Sequence, residues 1–369
     1  MKQQEVCLQL IIYYDELTIT NSIGNATTKN KLGLFYFTLT NFPPLFRSHL
    51  DFIFLLAVCK SEYAGGKGID SVLRPLIDEL NTLSNGITES ELGSSTKLHV
   101  APLLFVGDTP ALYHILAIKE SVGASYRKCR QCFASREDFA QKFEIELFRK
   151  RTIAEHRLLC AQVEHDILQG QQDTSIETGI TRYSAIFALR SSLNFDPFTQ
   201  SPQDLMIVLL EGIIPFVLKH VFQSIYNEKR INRSQIREME HEIRFFKYHQ
   251  LDKDSAPVLI NLFGFIDTQT SCKLNAVGFW MLIRMLPFYS FTREFESLPQ
   301  WRVIKLLLKL CSLLMKRSFN KPCQIKCKST AQLFIRAFME IFPNINIIPK
   351  FHYLLHCIAD ISRLGPPST

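Results

Sequence analysis

Three acidic residues stand where an apolar run meets a break. Asp15 follows residues 6–14, Asp108 follows residues 98–106, and Glu211 follows residues 205–210, with Asp204 opening that last run. Carboxylates brought from separate elements to one point can hold two divalent ions about 3.5–4 Å apart, one at the attacking oxygen and one at the leaving oxygen. Mg²⁺ or Mn²⁺ suits that work, because such an ion keeps waters and needs few protein oxygens. On pattern alone the third carboxylate is either Asp204 or Glu211. A carboxylate inside so apolar a segment is costly unless it is paired or binds metal. There is a plainer reading of the first two. An aspartate after a strand commonly forms a turn or a helix cap, and Asp108-Thr109-Pro110 has the form of a cap for a helix at Ala111.

A second set of residues suits a softer metal. Cys129 and Cys132 have the C-x₂-C spacing of half a tetrahedral zinc site, which needs two more ligands. His156 and Cys160 lie four apart on a helix predicted over residues 149–163, so they share a face. His165 is a further donor. The ten cysteines are irregularly spaced, and no charged-then-apolar leader opens the chain, so thiols or metal ligands are expected rather than disulfides. Cys323 and Cys327, and His352 and His356, are also four apart. No carboxylate accompanies them as in a zinc protease, so packing against the core is the expectation there.

Residues 301–330 hold eight basic side chains and no acidic one. Arg302, Lys305, Lys309 and Lys316 fall on one helical stripe, opposite Val303, Leu306, Leu307, Leu310 and Leu314. Such a ridge can face a phosphate backbone; it can also be an ordinary solvated face.

The order of elements decides whether the carboxylates can meet. Strands are predicted over residues 6–14, 32–39 and 51–59, the third apolar on both faces as a buried central strand would be. Ile69, Val72, Leu73, Leu76, Ile77, Leu80 and Leu83 then give the stripe of an amphipathic helix. Asp70 or Ser71 could cap it, Pro75 sits near its first turn, and Asn85-Gly86 stops it. A fourth strand covers residues 98–106. Three strands in a meander, followed by a right-handed helical crossover, set the fourth parallel to the first. Asp15 and Asp108 would then be neighbours. That is a ribonuclease-H-like mixed sheet, an α/β (α+β) core. The expected division is a first core part over 1–125, an insertion carrying the cysteine knuckle over 126–200, a core helix with the third carboxylate over 201–225, and a mostly helical region over 226–369. With 47% hydrophobic and 21% charged residues among 369, wholesale disorder is excluded. No apolar run reaches the roughly 20 residues of a membrane-spanning helix. The net charge of +7 is compatible with a polyanionic partner.

Collinear short motifs point further. Tyr13-Tyr14-Asp15-Glu16 with Asn21-Ser22-Ile23-Gly24, then Asn30-Lys31-Leu32-Gly33-Leu34-Phe35-Tyr36-Phe37 and Asn41-Phe42-Pro43-Pro44, resemble the opening of DDE transposases of the CACTA/EnSpm kind, in their animal lineage. Gly107-Asp108, Cys129-Arg130-Gln131-Cys132, the segment from Pro202 to Gly212, Pro349-Lys350-Phe351-His352 with His356, and Gly365-Pro366 resemble that family's later motifs in order. The resemblance implies that Asp15, Asp108 and Glu211 bind Mg²⁺ or Mn²⁺ and catalyse DNA strand cleavage and joining. It also implies a structural Zn²⁺ on Cys129 and Cys132 with His156, Cys160 being the fourth ligand. DNA as partner and a nuclear location follow from the same likeness; further copies of the chain are an expected partner, a membrane is not. Where the family carries His and Asp in its third motif, this chain has Ile207 and Val208. A truncated or domesticated copy with reduced activity is therefore expected. The alternative is a non-catalytic DNA- or protein-binding module descended from such an enzyme.

Overall fold

The computed structural model describes residues 4–18, 31–65, 68–88, 96–120, 125–266 and 272–365. The Asn21-Ser22-Ile23-Gly24 and Pro366 motif positions lie outside these. Two compact units emerge, one of residues 1–138 with Phe148–Pro202, the other of Phe139–Leu147 with residues 203–368.

The first unit is built on a mixed five-stranded sheet: β1 Gln4–Thr18, β2 Lys31–Leu39, β3 Phe54–Lys60, β4 Ile87–Thr88 and β5 Thr96–Gly107, in the order β3-β2-β1-β5-β4. β1 is antiparallel to β2 and parallel to β5. Along β1, Leu10, Ile12 and Tyr14 are buried on one face while Tyr13 and Asp15 point to the other, the period of two of a half-buried strand. Helix α1, Gly68–Leu83, covers the buried face with Ile69, Leu73, Ile77 and Leu80. Each such side chain contributes roughly 1.5–3 kcal/mol by leaving water. Helix α2, Thr109–Ile115, follows β5 directly, and α3 spans Ile153–Leu168.

Several expectations are corrected. β1 does not stop at Asp15; it runs on to Thr18 because β2 keeps pairing with it as far as Lys31. β3 is an edge strand, not a central one: Phe54, Leu55 and Val58 are exposed, and its pairing is with β2 alone. An apolar run cannot by itself distinguish those two positions. Residues 50–52 are a 3₁₀ turn, so β3 begins later than its composition suggests. Pro75 lies inside α1, not in its first turn, and Asp70 does not cap that helix but pairs with Arg182 and accepts the Ala185 N–H at 2.9 Å.

Gly107 ends β5 so close to β1 that a Cβ there would lie 2.7 Å from the Tyr14 carbonyl oxygen. Gly107→Ala should cost about 1–3 kcal/mol through forced backbone displacement. Thermal unfolding reads this as a loss of roughly 2–10 °C; an unchanged midpoint would contradict the close approach.

The second unit is helical. A π-helical stretch, Met206–Ile213, runs straight into α4, Ile214–Asn227. Together they form 22 residues of mean hydropathy 1.6, long and apolar enough by length and composition to cross a membrane, and the only such helix among the described residues. A single candidate of this kind is no clear membrane span, in line with the expectation from sequence. Half of its most apolar window is buried inside the protein. Helices α5 Pro299–Leu314, α6 Lys321–Ile341 and α7 Lys350–Leu364 complete the elements needed below.

Candidate metal centres

The parallel register of β1 and β5 pairs Tyr14 with Gly107. The next residues on the two strands are Asp15 and Asp108, and both line a cleft of about 700 Å³. The 93-position separation of Asp15 and Asp108 is thus closed by the β1–β5 pairing. Asp15 is exposed, with Oδ1 accepting the N–H of Glu16 at 2.8 Å. Asp108 is half-buried and caps α2, its Oδ1 accepting the Ala111 N–H at 2.6 Å. The cap reading and the ligand reading therefore coexist at Asp108.

Negative charge gathers at this end of the sheet. The Tyr14 phenol is raised above its usual range by burial first, then by Glu16, Cys59, Asp108 and Asp15. Burial, then Asp15, also raises Tyr36. Of the three cations that line the cleft, Lys31 is held by Glu16 at 3.3 Å and Arg182 by Asp70, while Lys119 completes the set. His114 has Nε2 2.8 Å from the Ala64 carbonyl oxygen and Nδ1 3.2 Å from the Glu120 carboxylate. The cleft is open, with two carboxylates at adjoining positions of β1 and the β5–α2 junction.

In the second unit Glu211 is exposed on the π-helical stretch, and Asp204 accepts the N–H groups of Met206 and Ile207. Val208 is fully buried, leaving no room for an acid at that position. Arg302, Lys305 and Lys309 are exposed along α5, whereas Lys316 lies beyond its end. Arg302 is 3.3 Å from Glu340, and Lys305 donates to the Glu296 carbonyl at 3.4 Å.

The cysteine knuckle sits in a buried, cation-rich wall. Arg151 donates to the Cys129 carbonyl at 2.9 Å and to the Thr178 carbonyl at 2.7 Å, and lies over the Phe133 ring. Burial first, then Cys129, pushes the Cys132 thiol well up; a metal bound there would take it as the thiolate. On α7, His352 and His356 are buried with their Nε2 atoms 3.1 Å apart, and His352 stacks on Phe139. The ligand atoms of Cys129, Cys132, His352 and His356 all lie within 4.8 Å of one another, and all four residues are buried. Ligands around a tetrahedral zinc stand about 3.3–3.8 Å apart, and two thiolates with two imidazoles are a common structural set. This group could hold a metal ion.

The sequence-based partners are corrected accordingly. His156 stacks on Phe187 at 4.1 Å and meets Phe198 edge-on, and the Cys160 thiol donates to the Arg182 carbonyl. Both side chains pack elsewhere, and the buried group that could hold a metal ion joins the two cysteines to His352 and His356, the histidines assigned to packing from sequence. The i,i+4 spacing of His352 and His356 was the available signal; over 200 positions of chain concealed their partners. Cys323 and Cys327 are buried on α6, with the Cys327 thiol pushed up to about 12 by burial, then by Cys323.

His156 has a consequence for acid stability. Neither ring nitrogen has a hydrogen-bond partner, and burial, then Arg151, lowers its pKa to about 3 from 6.5. The unfolded chain therefore takes up a proton at this residue near pH 6.5 that the folded chain refuses until about pH 3. Stability at this residue is lost as pH falls through that window, at about 1.4 kcal/mol per unit. His156→Phe should remove on the order of 2–3 kcal/mol of the loss between pH 7 and 4.5, read by urea unfolding at the two pH values. An unchanged pH slope would show that His156 is not the group responsible.

Compared with known proteins, the chain matches no family model and no curated protein.

Proposed function

We propose that the chain is a transposase-derived, ribonuclease-H-like core that cleaves and joins DNA strands by divalent-metal phosphoryl transfer. The observation that carries this reading is the β1–β5 register, which sets Asp15 and Asp108 side by side at the mouth of one cleft. Asp15 and Asp108 are the residues of the cleft that would hold Mg²⁺ or Mn²⁺; Glu211, in the other unit and not among the residues lining the cleft, is a third ligand by the resemblance alone. Bound there, the ions would supply charge stabilisation to the attacking and leaving oxygens. The chain's own residues fix geometry. Asp108 is locked by its cap bond, Asp15 by a strand paired on the β2 side, and Gly107 permits the close approach of the two strands. No side-chain nucleophile is required, since water and then a DNA 3′-hydroxyl attack. Arg302, Lys305 and Lys309 offer phosphate contacts that weaken with salt. Cys129, Cys132, His352 and His356 hold a structural zinc.

Two observations favour a second reading, a DNA-binding module that has lost catalysis: Asp108 already serves as a helix cap, and Ile207 and Val208 replace the polar pair of the similar family. Nicking of supercoiled plasmid separates the two. Mn²⁺-dependent nicking that disappears in Asp15→Ala supports the enzyme; plasmid binding without nicking supports the module.

A further inference from the structure

The C-x₂-C turn is built as a loop of donors around its sulfurs. Residues 131–133 pair with residues 149–151: Arg151 donates its backbone N–H to the Gln131 carbonyl at 3.1 Å, Phe133 donates to the Arg149 carbonyl at 2.9 Å, and Cys132 bridges to Lys150. The loop so closed turns peptide N–H groups onto the thiols. Cys129 Sγ accepts the Gln131 N–H at 3.4 Å, and the backbone of Ala134 makes the equivalent hydrogen bond, two residues on, to Cys132. Donors directed at a sulfur favour its thiolate, the form that ligates a metal.

Arg151 adds a full positive charge to this wall. The side chain is 3% exposed, and a guanidinium cannot shed its proton to escape burial. Nε and Nη2 go to the carbonyls of Cys129 and Thr178, while Nη1 has no hydrogen-bond partner. Burial works against its charge and so does Arg127; Cys129 first, then Cys132 and Tyr113, favour it, and none of these is a carboxylate. The Tyr113 hydroxyl is already donated to the Lys128 carbonyl at 2.5 Å. A buried charge without a partner is costly. The two sulfurs are the groups left to answer it, and they carry negative charge only as thiolates.

We propose that Arg151 is a positioning residue for the metal centre: its guanidinium, anchored on the Cys129 carbonyl, is a built-in counter-charge that holds Cys129 and Cys132 as a thiolate pair for a bound ion. This rests on the reading of these cysteines as zinc ligands with His352 and His356. An arginine that only tied the Cys129 and Thr178 carbonyls together would act on stability and leave metal affinity alone.

The full chain and its variants Arg151→Met, Arg151→Gln and Arg151→Lys are compared by zinc affinity in chelator competition, and by thermal midpoint with zinc and with excess chelator. Outer-shell partners of a metal ligand are worth roughly 10- to 100-fold in affinity. Arg151→Met and Arg151→Gln should each weaken zinc binding at least about 10-fold, and Arg151→Lys, which keeps the charge, should recover most of it. Arg151→Gln still donates to a carbonyl, which keeps the test open if Arg151→Met does not fold. Its midpoint should fall further below the wild type with zinc than with chelator. Wild-type zinc affinity in Arg151→Gln, or affinity in Arg151→Lys as weak as in Arg151→Gln, would overturn the counter-charge role while leaving the zinc site standing. A wild-type chain that takes up no zinc would overturn both.

Discussion

Asp15→Asn is expected to lower Mn²⁺-dependent plasmid nicking at least about 100-fold while leaving the fold intact. A group that only orients a metal ligand is worth roughly 10- to 100-fold, so loss of the ligand's charge should cost no less. The side chain is exposed, and its Oδ1 accepts the neighbouring Glu16 N–H. A surface change of this kind usually moves stability by no more than about 0.5 kcal/mol. Asp108 sharpens the result because it has two roles. Asparagine caps a helix about as well as aspartate, whereas alanine costs about 0.5–2 kcal/mol. Asp108→Asn should therefore lose nicking and keep the midpoint, while Asp108→Ala should lose both. Full nicking in Asp108→Asn would reduce this residue to the cap of α2.

The second large effect concerns the buried Cys₂His₂ group. The chain should carry one zinc ion per molecule by elemental analysis, and Cys129→Ser or His356→Ala should lose it. Structural zinc binds zinc-finger peptides with about 10–16 kcal/mol of apparent free energy. Even a third of that is about 3–5 kcal/mol, or a fall of roughly 6–20 °C in midpoint at about 2–4 °C per kcal/mol. The thiols share a buried wall with Arg151, and burial raises the Cys132 thiol well above its usual range. Chelation should therefore destabilise the wild type and leave Cys129→Ser unaffected. His156→Phe should keep the zinc. Retention of zinc by His352→Ala together with its loss from Cys160→Ser would restore the ligand set expected from sequence.

What was legible in the sequence was largely what local pattern determines. The stripe Ile69, Leu73, Ile77, Leu80 specifies one helical face, and all four are buried. The run ending at Tyr14 and the run ending at Gly107 specify strands, and a helical crossover leaves few topologies other than parallel neighbours. The adjacency of Asp15 and Asp108 followed from those two facts. What was not legible depended on partners distant in sequence. β3 has a central strand's composition at an edge position, because composition records apolarity and not the number of neighbours. His156 has a ligand's spacing, yet aromatic rings at Phe187 and Phe198 claim it. His352 and His356 read as core residues because Cys129 and Cys132 lie over 200 positions away, and the adjacent Cys357 is turned to the Gln203 carbonyl instead. The π geometry at Glu211 likewise escapes periodicity, since it differs from α by one residue per turn over a short stretch.

Mn²⁺ binding to the wild type, Asp15→Asn, Asp108→Asn and the double variant is the most direct measurement, since it needs neither DNA nor turnover. Two carboxylates gripping the same ions should give wild-type uptake that each single change weakens at least about 10-fold, with the double variant scarcely worse than either. Equal uptake by the wild type and the double variant would contradict a divalent site at the mouth of the β1–β5 cleft.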